Sequence, residues 1–272
     1  MAAIDESVED LVARIPDGAL IAIPPDYAGV SMAATRALVR RGTRGLGLLA
    51  VPTSGLQADL LIGAGLITRL EAAAITLGEY GQAPCFTRAL RQGRFAMRDS
   101  TCPAIHAGLQ AAEKGVPFMP LRGLIGTDVL AHRPDWATIG SPFDPADPIV
   151  VVPALRPDVA LFHAALADRS GNVWIGRRRE LATMAHAAAT SLVTVESLDA
   201  GDLLDDPVMA AGTLPALYVG AVAVAPKGAW PLGFEDAYGM DHDHLADYVR
   251  LSATEEGFAR YLDAHVLGAR AA

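Results

Sequence analysis

The sequence predicts an α/β fold with an open, mostly parallel sheet and helices on both faces. Short apolar runs alternate along the chain with segments whose apolar residues recur at helical spacing. Several runs are too continuously apolar for strands with one solvated face, which favours a sheet covered on both sides. Hydrophobic residues make up 51% of the 272 residues, and no repeat or linker divides the chain. We therefore expect a single domain over residues 1–272.

The first half of the chain contains strands and helices in alternation. A helix over 5–15 has apolar residues at Val8, Leu11, Val12 and Ile15, and Pro16 ends it. The predicted strands that follow are 19–23, 46–51, 70–76 and 95–98, and the predicted helices are 31–41, 58–62, 86–91 and 104–113.

The second half begins with a strand over 116–119 and then loses its periodicity. Residues 130–148 are rich in Pro, Asp and Gly, which predicts a long surface loop or, as the alternative, a lid or interface segment. A strand over 149–152 restarts the sheet. The further predicted strands are 158–163, 191–196 and 217–225, and the predicted helices are 180–186, 245–251 and 255–266.

Charge and composition exclude several classes of protein. The balance of 22 basic against 31 acidic residues gives a net charge of −9, and the longest basic run is 177–179, so we expect no nucleic-acid partner. The acidic first ten residues are unlike a signal peptide, and no apolar run reaches the about 18 residues of a membrane span. The two cysteines, Cys85 and Cys102, make neither a disulfide framework nor a metal pair. We expect a soluble cytoplasmic protein that contacts no membrane.

The usual signatures of catalytic centres are weak or missing. No G-x-S-x-G elbow occurs, and a Cys102–His106 pair one helical turn apart is better explained as a small thiol beside a histidine. The acids and histidines of 241–244 cannot converge on a metal within one helix, so they predict a solvated helix start and no metal site. His186 and Glu196 either face one pocket or lie on two separate polar edges.

The most informative stretch is 167–174, which reads Ala-Asp-Arg-Ser-Gly-Asn-Val-Trp between two apolar runs. Its local explanation is an ordinary hairpin turn, with Asp168 capping the turn and Gly171 accepting a positive φ. The whole order of strand, turn, helix with Met184 and strand ending in Glu196 instead resembles the α-type chain of the family I coenzyme A transferases. Further motifs in the same order support this resemblance, at 58–65, 78–79, 115–118, 126–128 and 184–188.

The resemblance implies a fold like that of the CoA-transferase α-type chain and a reaction shared with a second chain. In this family two similar α/β halves meet at the active site, and a glutamate of the β-type half attacks an acyl-CoA. CoA then passes to a second carboxylic acid, so coenzyme A is a substrate and no bound cofactor is expected. The implied partners are an acyl-CoA, a carboxylic acid and a β-type subunit. The alternatives are a CoA-thioester hydrolase or ring-opening lyase of the same fold, and an inactive scaffold chain.

Two candidate site residues follow from the resemblance in the first half of the chain. Glu79, the catalytic candidate, holds the position that is pseudo-symmetric to the family's nucleophile. There it either polarises the substrate or lines the cleft, or it is a structural carboxylate that accepts backbone amides. Tyr27 lies in 24–29, which replaces the family's glycine-rich loop by Pro-Pro-Asp-Tyr-Ala-Gly. That replacement removes amide donors and adds bulk.

Four more candidates for substrate binding lie further along the chain. Cys102 stands where relatives carry Gln or Glu, and a thiol there favours a more apolar acyl group than the small diacids usual in the family. Arg122, Gly126 and Thr127 follow the predicted strand 116–119 and are expected to line the cleft. The alternative for Arg122 is pairing with a surface acid.

Overall fold

Strands and helices alternate through the computed structural model, which describes residues 2–5, 7–235 and 237–268. The strands are β1 Ala3–Asp5, β2 Leu20–Ile23, β3 Leu46–Ala50, β4 Thr53–Ser54, β5 Ile67–Ala72, β6 Ala74–Ile75, β7 Ala96–Asp99, β8 Phe118–Leu121, β9 Ala137–Gly140, β10 Pro148–Pro153, β11 Val159–Asp168, β12 Val173–Trp174, β13 Thr190–Asp199, β14 Thr213–Leu214 and β15 Val219–Val224.

The α-helices occupy the segments between these strands and the end of the described chain. They are α1 Val8–Ala13, α2 Met32–Arg41, α3 Leu56–Gly63, α4 Pro84–Arg91, α5 Cys102–Glu113, α6 Arg179–Ala187, α7 Pro207–Ala210, α8 His242–Ser252 and α9 Glu255–Leu262. Short 3-10 turns lie at Gly78–Tyr80, Asp128–His132 and Ala216–Tyr218, and a π-helical turn at Asp263–Leu267 follows α9.

The main sheet has the strand order β1-β15-β13-β11-β2-β3-β5-β7, and all of these neighbours are parallel. The chain runs outward from β2 to β7, returns to β11 beside β2, and then runs outward the other way. The direction of winding therefore reverses between β2 and β11, which makes this a doubly wound sheet. The predicted fold class is confirmed.

Side chains of neighbouring positions in one strand enter two different cores. Leu48 packs with α2, α3 and α8 on one face, whereas Leu49 packs with α5 and α6 on the other. Leu161 and Phe162 divide in the same way. Because both faces are covered, the strands have no polar alternation, as the sequence predicts.

A separate three-stranded antiparallel sheet, in the order β8-β10-β9, corrects three predictions. The strands expected over 116–119 and 149–152 exist but pair with each other here and not in the main sheet. The loop expected over 130–148 contains β9. The inner side of this sheet has its own small core, with Val150 and Val152 packed on Trp136. A strand with a buried face has the same apolar pattern whichever sheet it joins. The pattern therefore does not predict which of the two sheets contains the strand.

The helix predicted over 5–15 is shorter in the structure, where Asp5 belongs to β1 and α1 covers Val8–Ala13. Ser7 caps α1 by accepting a hydrogen bond from the Asp10 amide, at 3.1 Å. β1 pairs in parallel with β15, at the opposite end of the main sheet from β7.

The turn at 168–172 has the local structure expected from its residues. Asp168 Oδ1 accepts the amides of Ser170 and Asn172, at 2.9 and 3.0 Å, and its Oδ2 accepts the Asn172 side chain and the Leu203 amide. Burial alone would raise the pKa of Asp168, but these donors outweigh it and hold the pKa below its usual value. Gly171 has a φ of +89°, and a Cβ there would collide with Ala2. The hairpin of β11 and β12 follows.

Candidate active site

An open cleft of about 420 Å³ lies beyond the carboxyl ends of β2, β3 and the β5–β6 segment. This edge is where doubly wound sheets place ligands. Loops that follow the strands form one side, and the segment after β15 together with α8 forms the other. The lining residues are Pro25, Asp26, Tyr27, Thr53, Ser54, Gly55, Leu56, Thr76, Leu77, Gly78, Glu79, Tyr80, Leu232, Met240, Leu245 and Val249.

Asp26 occupies the N-terminus of α3 at the base of the cleft. Its Oδ1 accepts the Gly55 amide at 3.1 Å, and its Oδ2 accepts the Leu56 amide at 3.0 Å. A Cβ on Gly55 would overlap Asp26 Oδ2 and lie 2.6 Å from the Thr76 carbonyl oxygen, so the approach requires glycine. Burial raises the pKa of Asp26 to about 6, although the Leu56 and Gly55 amides lower it. A carboxylate of the protein thus fills a position that otherwise attracts anions.

The mouth of the cleft brings together two of the residues predicted for the site. Tyr27 and Glu79 are both largely exposed, at 66% for Tyr27 and 72% for the Glu79 side chain. Glu79 Oε1 lies 3.9 Å from His242 Nδ1, which is hydrogen-bonded to Tyr80 Oη. No backbone amide in the described ranges donates to Glu79, so its contacts do not favour the structural alternative.

A buried histidine, His163, links two strands of the main sheet close to the place between β2 and β11 where the direction of winding reverses. His163 of β11 lies opposite Thr194 of β13, and its Nδ1 is 2.9 Å from Thr194 Oγ1. Thr194 Oγ1 is in turn 2.7 Å from Ser31 Oγ, the cap of α2. On its other side, His163 Nε2 is 2.7 Å from Glu196 Oε1.

Glu196 receives two more donors. Tyr238 Oη donates to Oε1 at 2.8 Å, and the Lys227 amide donates to Oε2 at 2.7 Å. Partial burial raises the pKa of Glu196, but the hydrogen bonds from His163, Lys227 and Tyr238 outweigh it and lower the pKa to about 2. Glu196 is therefore a charged anchor that holds the segment after β15 against the sheet. That segment contributes Leu232 and Met240 to the cleft.

His186 lies apart from this network. Its Nδ1 is 3.2 Å from Glu113 Oε1, and its ring packs on Tyr218. Of the two arrangements that the sequence left open for His186 and Glu196, the separate polar edges are the one observed.

The sequence matches the family described as Coenzyme A transferase over residues 5–223. The chain belongs to the coenzyme A transferase family. The A-type subunit of the glutaconate CoA-transferase of Acidaminococcus fermentans is 29% identical over 75% of this chain and 69% of that protein. The crystal structure of that enzyme superposes with a TM-score of 0.89, at 25% identity, over 97% of this chain and 89% of that one. The resemblance to the α-type chain of these enzymes is confirmed.

Other relatives carry different names. The A-type subunit of the 3-oxoadipate CoA-transferase of Pseudomonas knackmussii is 30% identical over 97% of this chain and 93% of that protein. The crystal structure of a variant of the decarboxylase AibA/AibB is 33% identical with a TM-score of 0.84, over 97% of this chain and 98% of that one. An uncharacterized protein of Archaeoglobus fulgidus is 32% identical over 96% of this chain, which spans 59% of that relative's length.

The other substrate-binding residues predicted for this family member do not line the cleft. Cys102 is exposed as the first residue of α5. Arg122, Gly126 and Thr127 follow β8, whose end belongs to the antiparallel sheet and not to the ligand-binding edge of the parallel one. Arg122 is 73% exposed at its side chain and donates to Asp147 Oδ1 at 2.5 Å. Their part in substrate binding stays a prediction.

The remaining acids, histidines and thiols have structural explanations. Asp241 caps α8 by accepting the His244 amide at 3.0 Å, as expected of a helix start. Burial raises the pKa of the Cys85 thiol to about 12, which keeps it protonated. Within residues 2–5, 7–235 and 237–268, no three His, Cys, Asp or Glu residues are grouped to hold a metal ion. Helices in the same ranges are all too short or too polar to cross a bilayer.

Proposed function

We propose that this chain is the A-type subunit of a two-chain CoA-transferase that moves CoA between an acyl-CoA and a carboxylic acid. The match to the family over residues 5–223 carries this proposal, since it includes every strand that borders the cleft. Relatives named as A-type subunits imply a B-type partner. In this proposal the partner supplies the nucleophilic glutamate.

The state of Glu79 supports a nucleophile from outside this chain. A nucleophilic carboxylate has to be held at the reacting carbonyl by neighbouring groups. Glu79 is largely exposed, and the basic side chain described within 4 Å of it is that of His242, 3.9 Å away. Glu79 therefore lacks the support that a nucleophile needs, and its role in this proposal is to line the mouth of the cleft.

The reaction divides one difficult transfer into easier steps. A carboxylate oxygen of the partner's glutamate attacks the thioester carbonyl, and CoA leaves as a thiolate, which gives a mixed anhydride. The thiolate then attacks the glutamyl carbonyl of the anhydride and releases the first acid. The acceptor carboxylate reverses these steps and leaves with CoA. This chain contributes the cleft beside the reacting carbonyl.

The test is to purify this chain alone and together with its B-type partner, and to measure exchange of CoA between acetyl-CoA and labelled acids. We expect exchange from the complex and none from the chain alone. Glu79→Gln in the complex should retain at least about half of the activity, because a residue at the mouth holds no reacting atom. Exchange by the isolated chain, with a thioester on Glu79 that borohydride reduces, would refute the proposal.

A second candidate is cleavage of a CoA thioester or of its acyl group by the same fold. The observation that favours it is the likeness to the AibA/AibB decarboxylase and to the cholesterol ring-cleaving hydrolase IpdA subunit of Rhodococcus jostii, which is 28% identical over 96% of this chain and 91% of that protein. The complex would then release carbon dioxide or free CoA without an acceptor acid. Measuring both products in the exchange assay separates the two candidates.

The remaining features of the proposal follow from composition and from the family. Coenzyme A is a substrate, and no bound cofactor is required. The chain acts as a single domain over residues 1–272 within a cytoplasmic complex, and no nucleic acid or membrane takes part. The net charge of −9 agrees with the absence of a nucleic-acid partner, and the cleft of about 420 Å³ has the size of a small-molecule site.

A further inference from the structure

The inner walls of the cleft are apolar. Leu77, Leu232, Leu245 and Val249 line it from two sides, and Met240 lies at its edge. The volume of about 420 Å³ falls within the range of small-molecule sites, about 300–1,000 Å³. The walls therefore suit a flexible hydrocarbon group and offer it no ionic partner.

The charged groups of the cleft are acidic. Asp26 and Glu79 line it, and none of its described lining residues is a lysine, an arginine or a histidine. The two basic groups near the mouth have other partners: the Arg178 guanidinium lies 5.6 Å from the centre of the Tyr27 ring, and His242 contacts Tyr80 and Glu79. An acyl group with a second carboxylate would meet two like charges in the cleft.

The one helix N-terminus at the base of the cleft is already occupied. The amides of Gly55 and Leu56 donate to Asp26, so they are not free to bind a carboxylate of the substrate. The remaining polar side chains that line the cleft carry hydroxyl groups and belong to Tyr27, Thr53, Ser54, Thr76 and Tyr80. Ser54 lines the cleft, and its buried hydroxyl has no hydrogen-bond partner among the described residues. A neutral hydroxyl suits a carbonyl or hydroxyl oxygen.

We propose that this cleft binds the acyl part of the CoA thioester and selects apolar monocarboxylic acyl groups over dicarboxylic ones. The proposal rests on the function proposed above, because it places an acyl-CoA in the cleft. The proposed preference differs from the one that the names of two relatives imply, because 3-oxoadipate and glutaconate are both dicarboxylic acids.

The first experiment measures binding, which does not depend on turnover. The complex of this chain with its B-type partner is titrated by calorimetry with butyryl-CoA, hexanoyl-CoA, succinyl-CoA and glutaryl-CoA. All four share the CoA moiety, so differences report on the acyl group alone. We expect butyryl-CoA and hexanoyl-CoA to bind at least about tenfold more tightly than the dicarboxylic thioesters, since an unpaired charge loses its hydration in the cleft.

A charge-introducing variant tests whether this cleft is the cause. Met240 is 37% exposed, so Met240→Lys places a cation at the edge of the cleft without opening the core. The ratio of affinities should move towards glutaryl-CoA by about twofold to fivefold, the effect of one partly exposed charge pair. Val208→Lys is the matched control, because Val208 is 81% exposed on α7 and does not line the cleft.

The outcomes separate this inference from the proposed function. Tighter binding of succinyl-CoA or glutaryl-CoA by the unchanged complex, or equal shifts in the Met240→Lys and Val208→Lys variants, would overturn the inference. Exchange activity accompanied by such a result would leave the transferase proposal standing. An apolar preference that Met240→Lys alone weakens supports the cleft assignment even if the complex catalyses decarboxylation or hydrolysis instead of exchange.

Discussion

Two carboxylates near the carboxyl edge of the parallel sheet, Asp26 and Glu196, differ in their donors and therefore in their acidity. Asp26 accepts two backbone amides, and burial raises its pKa to about 6. Glu196 accepts hydrogen bonds from the Lys227 amide, the Tyr238 hydroxyl and the His163 imidazole, and these donors lower its pKa to about 2. The comparison shows that the number and kind of donors outweigh burial for Glu196 but not for Asp26. The ionised form of Glu196 is stabilised and anchors a loop, whereas burial at the cleft destabilises the ionised form of Asp26.

The largest effect should come from replacing the anchor. Glu196→Gln should lower the free energy of unfolding at pH 7 by about 2–3 kcal/mol, since the difference between a pKa of 4.5 and about 2 corresponds to about 3 kcal/mol. The folded-state pKa is depressed, so this contribution is present above about 4.5 and is lost as the pH falls towards 2. Urea unfolding of both proteins at pH 7 and pH 3 measures it. A difference that stays constant between these two pH values contradicts the assignment.

Replacing Asp26 should have the opposite sign. Asp26→Asn removes the charge but replaces one of the two oxygens that accept the Gly55 and Leu56 amides by an NH2 group. Between pH 4 and pH 7, the free energy of unfolding of the variant should therefore rise by about 1–2 kcal/mol relative to that of the wild-type protein. The folded-state pKa of Asp26 is raised from 3.8 to about 6, so the wild-type chain loses stability as the pH rises between these values. The difference between the two proteins should therefore move in favour of the variant as the pH rises from 4 to 7 in the same urea experiment, whatever the lost acceptor costs at both pH values. A difference that stays constant, or that moves in favour of the wild-type protein, would show that the charge at α3 is not unfavourable.

The smallest effect should come from removing one of the three donors to the anchor. Tyr238→Phe removes the hydrogen bond donated to Glu196 and the one accepted from the Ala229 amide. It should cost about 1 kcal/mol, because His163 and the Lys227 amide still hold Glu196. The pKa of Glu196 should rise towards its ordinary value, so acid unfolding should begin at a higher pH than in the wild-type protein. Tyr80→Phe removes a hydrogen bond at the exposed mouth and is the control that should leave acid unfolding unchanged.

The sequence predicts where the strands of the main sheet lie better than it predicts which strands pair with one another. Runs such as 19–23 and 46–51 are apolar on both faces and are followed by proline, so their positions are readable from the sequence alone. β10 has the same apolar pattern as these strands, yet it pairs antiparallel with β8 and β9 outside the main sheet. Pairing depends on contacts between distant segments, and a local pattern does not contain them.

The cleft was only partly predictable for the same reason. Tyr27 and Glu79 were singled out through the family resemblance, and the cleft contains both. Its other wall comes from Leu232, Met240 and α8, which lie more than 150 residues later in the sequence. Two features of the sequence point to the Glu196 anchor. One is the single histidine in the apolar run 158–163, and the other is the pair of polar residues, Thr194 and Glu196, at alternate positions of the run 191–196. Joining them required the register of β11 against β13.

The position of β1 in the sheet has a consequence for synthesis on the ribosome. β1 is made more than 200 residues before β15, its one pairing partner among the described strands, where Ala3 lies opposite Ala221. At about 5–20 residues per second, β15 is made about 10–40 s after β1. A shorter delay applies to β2, because its neighbour β11 at the centre of the sheet is made later. A nascent chain that does not yet contain β15 therefore exposes an unpaired strand edge at β1, which is where chaperones that bind extended apolar segments would act.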